Sequence, residues 1–468
     1  MNRTKTMRLL TPLVLAVALA ASPALAARDW AVPDTGIIGV EQAQLDPAFW
    51  VGQQSQPDRV ILDTAAIALQ NERLHRLDRS IHDLKALPAT LTREQVSGWV
   101  SALSKAPTKP LFDEHGQPVA RDALAAVVPN ANLDAIADAP TTRYGLVVHR
   151  ADLRAFPTTL RVFSSNDDHD IDRFQESGLF PGDPVAVVHE SRDGQWWFVV
   201  SPRYAAWIEK RLVAIGDAER VLGYGERAPY RIVTGAKAFT LFTPEEPRVS
   251  ELQLDMGTRV PVLADWPTGK PVNGQHAYTS TVIELPVRND DGSLAFAPAL
   301  LPRREPSEDH YLALTPRHLI EQGFKFLGER YGWGHSYNGR DCSGFVSEIY
   351  RSMGVELPRN TSDQAVSPAL NRIALSDKDS PARRLQIARE LQVGDLVYIP
   401  GHVMMVIGQI DGEPYVIHDT TGLSFTGADG KTVRAKTNGV TVSPLTPLLF
   451  NGKQTYVDRM TNIQRIRP

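Results

Sequence analysis

The chain has 468 residues, 54 acidic against 50 basic side chains, a formal net charge of -4 and a single cysteine. That balance argues against a dedicated nucleic-acid binder, which concentrates Lys and Arg on one face, and one cysteine cannot close an internal disulfide. A chain this long exceeds a single hydrophobic core and implies about three or four domains.

Residues 1–26 read as an export signal. Arg3, Lys5 and Arg8 precede the apolar run Leu9 to Ala21, and Ala24-Leu25-Ala26 offers a cleavage site. The run is shorter than a membrane span, with Pro12 and Pro23 beside it, and no other stretch reaches about 18 consecutive apolar residues. No cysteine stands at the cleavage site to carry a lipid. The expectation is a periplasmic or otherwise exported monomer, with no transmembrane segment once the signal is removed.

Residues 27–140 read as a helical and extended segment. Apolar residues recur at three-to-four spacing from Asp58 to Leu84 and again from Thr92 to Leu103, after the capping pattern Thr-Arg-Glu-Gln. A Pro-, Asn- and Ala-rich wrap follows, with no chemistry assigned. The period then changes to two: short alternating runs such as YGLVVHR, PVAVVHE and WWFVVS, separated by turn clusters, predict a small antiparallel barrel over 141–217. A similar pattern predicts a second barrel over 218–302. Its aromatics Tyr230, Phe239, Phe242, Trp266 and Tyr278 are expected in the core or an interface. The fold class is therefore multidomain α+β, with residues 311–468 as the last domain.

That last domain holds Cys342, inside DCSGFVSEIYRSMG. Cys342, Phe345, Val346, Ile349, Tyr350 and Met353 fall at helical spacing, with Asp341 placed to cap the helix and Gly354 to stop it. A thiol at a helix N-terminus is expected to have a lowered pKa and to act as a nucleophile; the plainer alternative is a small buried core residue. A nucleophilic cysteine needs a base. Downstream, Asp395 to Ile399, His402 to Ile407 and Tyr415 to His418 read as strands. If Gln409 to Pro414 form a hairpin connection, His402 and His418 meet at one sheet edge. The alternatives are ordinary strand-end histidines or a zinc site, the latter disfavoured because no His pair is closely spaced.

A helix-borne Cys followed by strand-borne His residues is papain-like order, and the motifs narrow it further. Tyr331 to Gly334, Asp341 to Gly344, Gly394 to Val397, Gly401 to Val403 and His418 together resemble the signature of the NlpC-type papain-like cysteine peptidases of bacterial cell-wall turnover. The resemblance implies Cys342 as nucleophile, His402 as base, His418 as the orienting third member and Tyr331 as an oxyanion assistant. Asp341 and Ser343 would line the substrate pocket, and no metal or organic cofactor is implied. The whole layout resembles a subgroup with two bacterial SH3-like domains that cuts between γ-D-Glu and a diamino acid in peptidoglycan stem peptides bearing a free N-terminal L-Ala. There an acid and a tyrosine of the first barrel hold the alanine ammonium, which makes Glu176 and Tyr204 the candidates, although each can equally be a solvated charge or a barrel aromatic. A further partner in relatives is an Asp after Pro-Arg; this chain has Asn360 there, which supplies no charge. Other readings keep the same last domain as a general hydrolase of intact wall, a wall-binding scaffold, or a papain-like acyltransferase or amidase.

Overall fold

The computed structural model describes residues 30–467; the export signal assigned to residues 1–26 lies outside them. The N-terminal segment is a strap that touches two parts of the molecule. Its first part lies on the last domain: Trp30 and Trp50 flank Tyr415, with ring centroids 6.3 and 5.0 Å away, and the Tyr415 hydroxyl donates to the Gly39 carbonyl at 2.7 Å. Helix α1 (Pro47–Gly52) buries Trp50 in that core. Helix α2 (Thr64–Leu77) is shorter than the periodicity from Asp58 to Leu84 predicts, because Asp63 caps its start and the Asp78 carboxylate accepts from the Ser80 N–H and hydroxyl, turning the chain away.

Helix α3 (Arg93–Leu103) opens with a reciprocal cap in which Thr92 Oγ1 accepts from the Gln95 N–H and Gln95 Oε1 from the Thr92 N–H. It and α4 (Arg121–Asn130) belong to the second part of the strap. Leu91, Val96 and Val100 of this part pack on Val188, Phe198 and Trp207 of the first β unit.

The first β unit is a seven-stranded antiparallel sheet of β1 (Arg143–Val147), β2 (Ala151–Arg154), β3 (Gln175–Leu179), β4 (Pro184–Glu190), β5 (Trp196–Val200), β6 (Ala205–Glu209) and β7 (Val213–Gly216), in the order β3-β2-β6-β5-β4-β1-β7. All five β5 residues, WWFVV, are buried, because the strap covers the face that the unit's own core does not. The second unit holds β8 (Tyr230–Val233), β9 (Lys237–Phe239), β10 (Gln253–Asp255), β11 (Arg259–Pro261), β12 (Ser280–Arg288), β13 (Leu294–Pro302) and β14 (Ser307–Glu308). Its pairing divides into the ladder β11-β8-β14 and the pairs β10-β9 and β12-β13. Phe239 at the end of β9, Phe242 in the loop after it and Tyr278 in a 3-10 turn, read as core or interface aromatics, are exposed.

The last domain packs α5 (Pro316–Phe324) and α6 (Cys342–Arg351) on one face of a six-stranded antiparallel sheet. Thr315 caps α5 by accepting from the His318 N–H at 3.1 Å. Beyond α6 come α7 (Thr361–Val366), β15 (Asn371–Ala374), α8 (Pro381–Arg389), β16 (Leu396–Ile399), β17 (His402–Ile410), β18 (Glu413–Thr420), the pair β19 (Leu423–Thr426) and β20 (Thr432–Ala435), then β21 (Gly439–Pro444) and β22 (Asn462–Arg465). The sheet order is β15-β22-β16-β17-β18-β21. Strand β17 sends Val403, Met405 and Ile407 into the core beneath α6, and Met404 and Val406 into a second core on the opposite face. The β17–β18 hairpin closes through Asp411 and Gly412, with φ of 53° and 77°, a two-residue turn of the kind Asp-Gly favours and tighter than the Gln409–Pro414 connection expected.

Candidate active site

Asp341 stands just outside α6 in extended conformation, and its Oδ1 accepts from the Gly344 N–H at 2.8 Å. The cap places Cys342 at the first helical position, buried, with Sγ 3.6 Å from Thr361 Oγ1 and facing the Val403 N–H. The lowered thiol pKa expected from the helix terminus is overturned. Burial dominates and pushes the Cys342 thiol up to about 12, and the Asp341 carboxylate beside it adds to the rise. The helix-terminal amide that would favour a thiolate is already given to Asp341.

His402 and His418 meet as diagonal neighbours across the β17–β18 pair, whose register sets Met405 against Ile417: His402 Nε2 is 2.7 Å from His418 Nδ1, and His418 Nε2 is 3.1 Å from Ser443 Oγ on β21. Burial lowers the His402 pKa to about 4 and holds His418 well below the usual imidazole range. The cysteine and both imidazoles are therefore neutral at rest. With both histidines neutral, His402 donating from Nε2 and His418 donating onward to Ser443, Nδ1 of His402 is the nitrogen left with a lone pair.

Tyr331 is buried beside this group; burial raises its hydroxyl pKa well above the usual value, and the nearby Asp341 carboxylate adds to the rise. Ser343 donates to Asp341 Oδ1 at 3.1 Å, and Gly334 N–H to Oδ2 at 3.0 Å. The principal partner of Asp341 is Arg359, whose guanidinium donates at 2.8 and 3.2 Å. Burial works against the Asp341 charge, but Arg359 outweighs it and holds the carboxyl well below the ordinary range. Asn360, beside it, donates to Asp363 at 3.0 Å and makes no side-chain cap for α7.

The opposite wall comes from the first β unit. Tyr204 donates its hydroxyl to Glu176, which lies on β3. Burial raises the Glu176 pKa, and the Tyr204 hydrogen bond and Arg359 partly oppose that rise. Strand β3 is bolted to the last domain: Gln175 Nε2 donates to the Gly334 carbonyl at 2.8 Å, Trp333 Nε1 to the Gln175 carbonyl at 3.0 Å, and Arg359 Nε to Ser177 Oγ at 2.7 Å. His335, at φ 68°, is wedged between Gly178 and Gly344, where a Cβ would come within 2.9 and 2.7 Å of its side chain. Its Nδ1 accepts from Arg359 and its Nε2 faces Glu348, so burial and Arg359 keep it neutral. Glu176 also lines a cavity of about 500 Å³ walled on one side by Lys105, Lys109 and Leu111 of the strap.

The six candidates of the last domain other than Asn360 thus gather around Cys342, and Glu176 pairs with Tyr204 across from them. Sequence reasoning missed four buried residues. Arg359 is the Arg of the Pro-Arg pair before Asn360 and His335 follows the Tyr331 to Gly334 motif, but neither showed its partners. Ser443 carried no signal. Asp419 follows His418, and neither of its carboxyl oxygens has a partner among the described residues; burial, Glu329 and Asp341 raise its pKa well above the usual range.

A cysteine at the start of a helix, set against the Val403 N–H next to a strand-borne histidine that pairs with a second buried histidine, on helices packed against an antiparallel sheet, is the arrangement of the papain-like cysteine peptidases. Residues 328–451 match the NlpC/P60 family and residues 161–209 the SH3 domain of SH3b1 type, so the chain carries an NlpC/P60 domain preceded by an SH3b domain. Over 256 residues it is 31% identical to the gamma-D-glutamyl-L-lysine dipeptidyl-peptidase of Bacillus cereus (strain ATCC 10987 / NRS 248), a match covering 50% of this chain and 65% of that protein. This chain thus spans just under two thirds of that relative's length. An NlpC/P60 endopeptidase from Photobacterium damselae subsp. piscicida shares the fold, with a TM-score of 0.72 at 17% identity over 89% of this chain and 96% of that one.

Proposed function

We propose that this protein is an exported cysteine endopeptidase that hydrolyses the bond between the side-chain carboxyl of D-Glu and a diamino acid, meso-diaminopimelate, in peptidoglycan stem peptides with a free N-terminal L-Ala, for wall turnover or recycling. Cys342 Sγ attacks the γ-carbonyl carbon as its proton passes to His402 Nδ1. Tyr331 and the Cys342 amide stabilise the oxyanion. His402 then protonates the departing diamino-acid nitrogen as the C–N bond breaks, leaving a thioester. Water attacks the thioester, gives its proton to His402, and the D-Glu carboxylate leaves as the Cys342 thiol re-forms. His418 and Ser443 keep the imidazole turned for both steps.

The observation that carries the substrate reading is the Tyr204–Glu176 pair, held onto the last domain by Gln175 and Arg359. A partly desolvated carboxylate with a phenol beside it is a receptor for a primary ammonium, and it rejects a peptide blocked there because its own charge would go unpaired. Asn360 supplies no charge, so Glu176 carries the electrostatic part alone. The strap segment around Lys105 to Leu111 narrows this end, which suits a short free peptide better than a polymer. Mass-spectrometric digestion of L-Ala-γ-D-Glu-meso-diaminopimelate tests the reading: free diaminopimelate should appear with wild-type protein and not with Cys342→Ala. Absence of cleavage by the wild type would refute it.

A further inference from the structure

Helix α6 starts at Cys342 and ends at Arg351, about 14 Å further along its axis. At that far end lies a second cavity, of about 240 Å³, where all three folded units meet. The first unit lines it with Asp183 and Arg203, the second with Arg259, and the last domain with Tyr311, Arg351 and Glu356. It is large enough for a small solute.

The charges in this cavity are unevenly matched. Asp183 accepts from the Phe180 N–H at 2.9 Å and from Arg351 Nη2 at 3.1 Å, and Glu356 lies 2.7 Å from His75 Nε2, so both acids are engaged. The guanidiniums are engaged only in part: Arg351 through its bond to Asp183, and Arg259 through Nη2, which donates to the Arg227 carbonyl at 2.9 Å while its guanidinium lies over the Tyr230 ring. Arg351 Nη1 and Arg259 Nε are buried donors without a partner, and the Arg203 side chain makes no hydrogen bond or ion pair to any described residue. Burial and repulsion from Arg351 lower the Arg203 pKa to about 10. Two such donors on residues lining one cavity, beside Arg203, are exceptions in folded proteins and are met by ordered water or by an ion. Converging guanidinium forks match one chemistry best, a compact oxyanion with two or three acceptor oxygens.

We propose that this junction cavity binds one small oxyanion, a phosphate or a carboxylate group, held by Arg203, Arg259 and Arg351. The site is separate from the proposed hydrolytic centre and does not depend on it. It is mechanically tied to both walls of the cleft, since Arg351 shares a helix with Cys342 and Arg203 precedes Tyr204 in the chain.

Calorimetric titration of the full chain at constant ionic strength in chloride buffer, with inorganic phosphate and separately with acetate, tests the proposal. One equivalent should bind, and Arg203→Ala should weaken binding about tenfold or more, whereas the exposed Arg121→Ala should not. Phosphate binding alone would identify a phosphate ligand, and acetate binding alone a carboxylate; both support the site. Because Arg203 holds no bond in the empty cavity, Arg203→Ala should raise the ligand-free melting temperature and abolish any rise caused by the anion, so loss of binding cannot be mistaken for misfolding. Failure of both anions to bind the wild type, or undiminished binding by Arg203→Ala, would overturn the proposal.

Discussion

The wall that carries Cys342, His402 and His418 differs from the wall that carries Glu176 and Tyr204 in how far apart in the chain its partners stand. The two histidines are 16 residues apart and joined by one hairpin, whereas Arg359 reaches Ser177 across 182 residues. The first wall is built by secondary structure: a cap, a helix and a strand pair place Cys342 and the two histidines. The second is built by docking, and its geometry depends on a few buried bonds between units. Chemistry should therefore fail when the first wall is touched, and selectivity or rigidity when the second is.

The largest effect tests the first wall. Cys342→Ala should lower turnover by about 10⁴-fold or more with unchanged melting temperature, since the thiol is the only nucleophile proposed. The neutral resting state gives the next: alkylation of Cys342 by iodoacetamide should rise about tenfold per pH unit between about pH 6 and 9, because the thiol pKa is pushed up to about 12. A rate flat over that range would mean a preformed thiolate–imidazolium pair.

The second wall gives the middle effects. Arg359→Met leaves Asp341 buried without its partner and unties Ser177, and should destabilise the protein by roughly 3 to 5 kcal/mol in urea unfolding. Glu176→Gln should lower kcat/KM for the free-amine tripeptide on the order of a hundredfold, through KM more than kcat. The pH dependence has a definite sign. Glu176 has a raised pKa, so in the wild type KM for this peptide should climb as pH falls through that value and the carboxylate is lost; Glu176→Gln should remove that climb. The smallest effect returns to the first wall: Ser443→Ala removes one hydrogen bond from His418 and should cost about three- to tenfold in kcat.

Legibility from the sequence followed the same division. The helix that Cys342 opens, its Asp341 cap and the closeness of His402 to His418 could be read from spacing, because 3.6- and 2-residue periods fix them locally. Glu176 and Tyr204 came from resemblance, since nothing in a lone exposed-looking Glu announces that a tyrosine 28 residues later will bond to it. Arg359 and His335 were invisible as an interface because their partners lie on another folded unit. The thiol pKa was misjudged for a related reason: the helix terminus is visible in sequence, but the burial that outweighs it is not. The exposed aromatics of the second unit went astray because Phe242 and Tyr278 fall in a loop and a turn and Phe239 at a strand end, where an alternating pattern does not fix burial.

The account rests on the docked wall selecting a free amine for the cysteine wall to act on. The direct test is the ratio of kcat/KM for L-Ala-γ-D-Glu-meso-diaminopimelate to that for its N-acetylated form. The wild type should prefer the free peptide by about a hundredfold or more, and Glu176→Gln should bring the ratio close to one. Equal cleavage of both peptides by the wild type would contradict the account and leave Cys342 serving a general wall hydrolase.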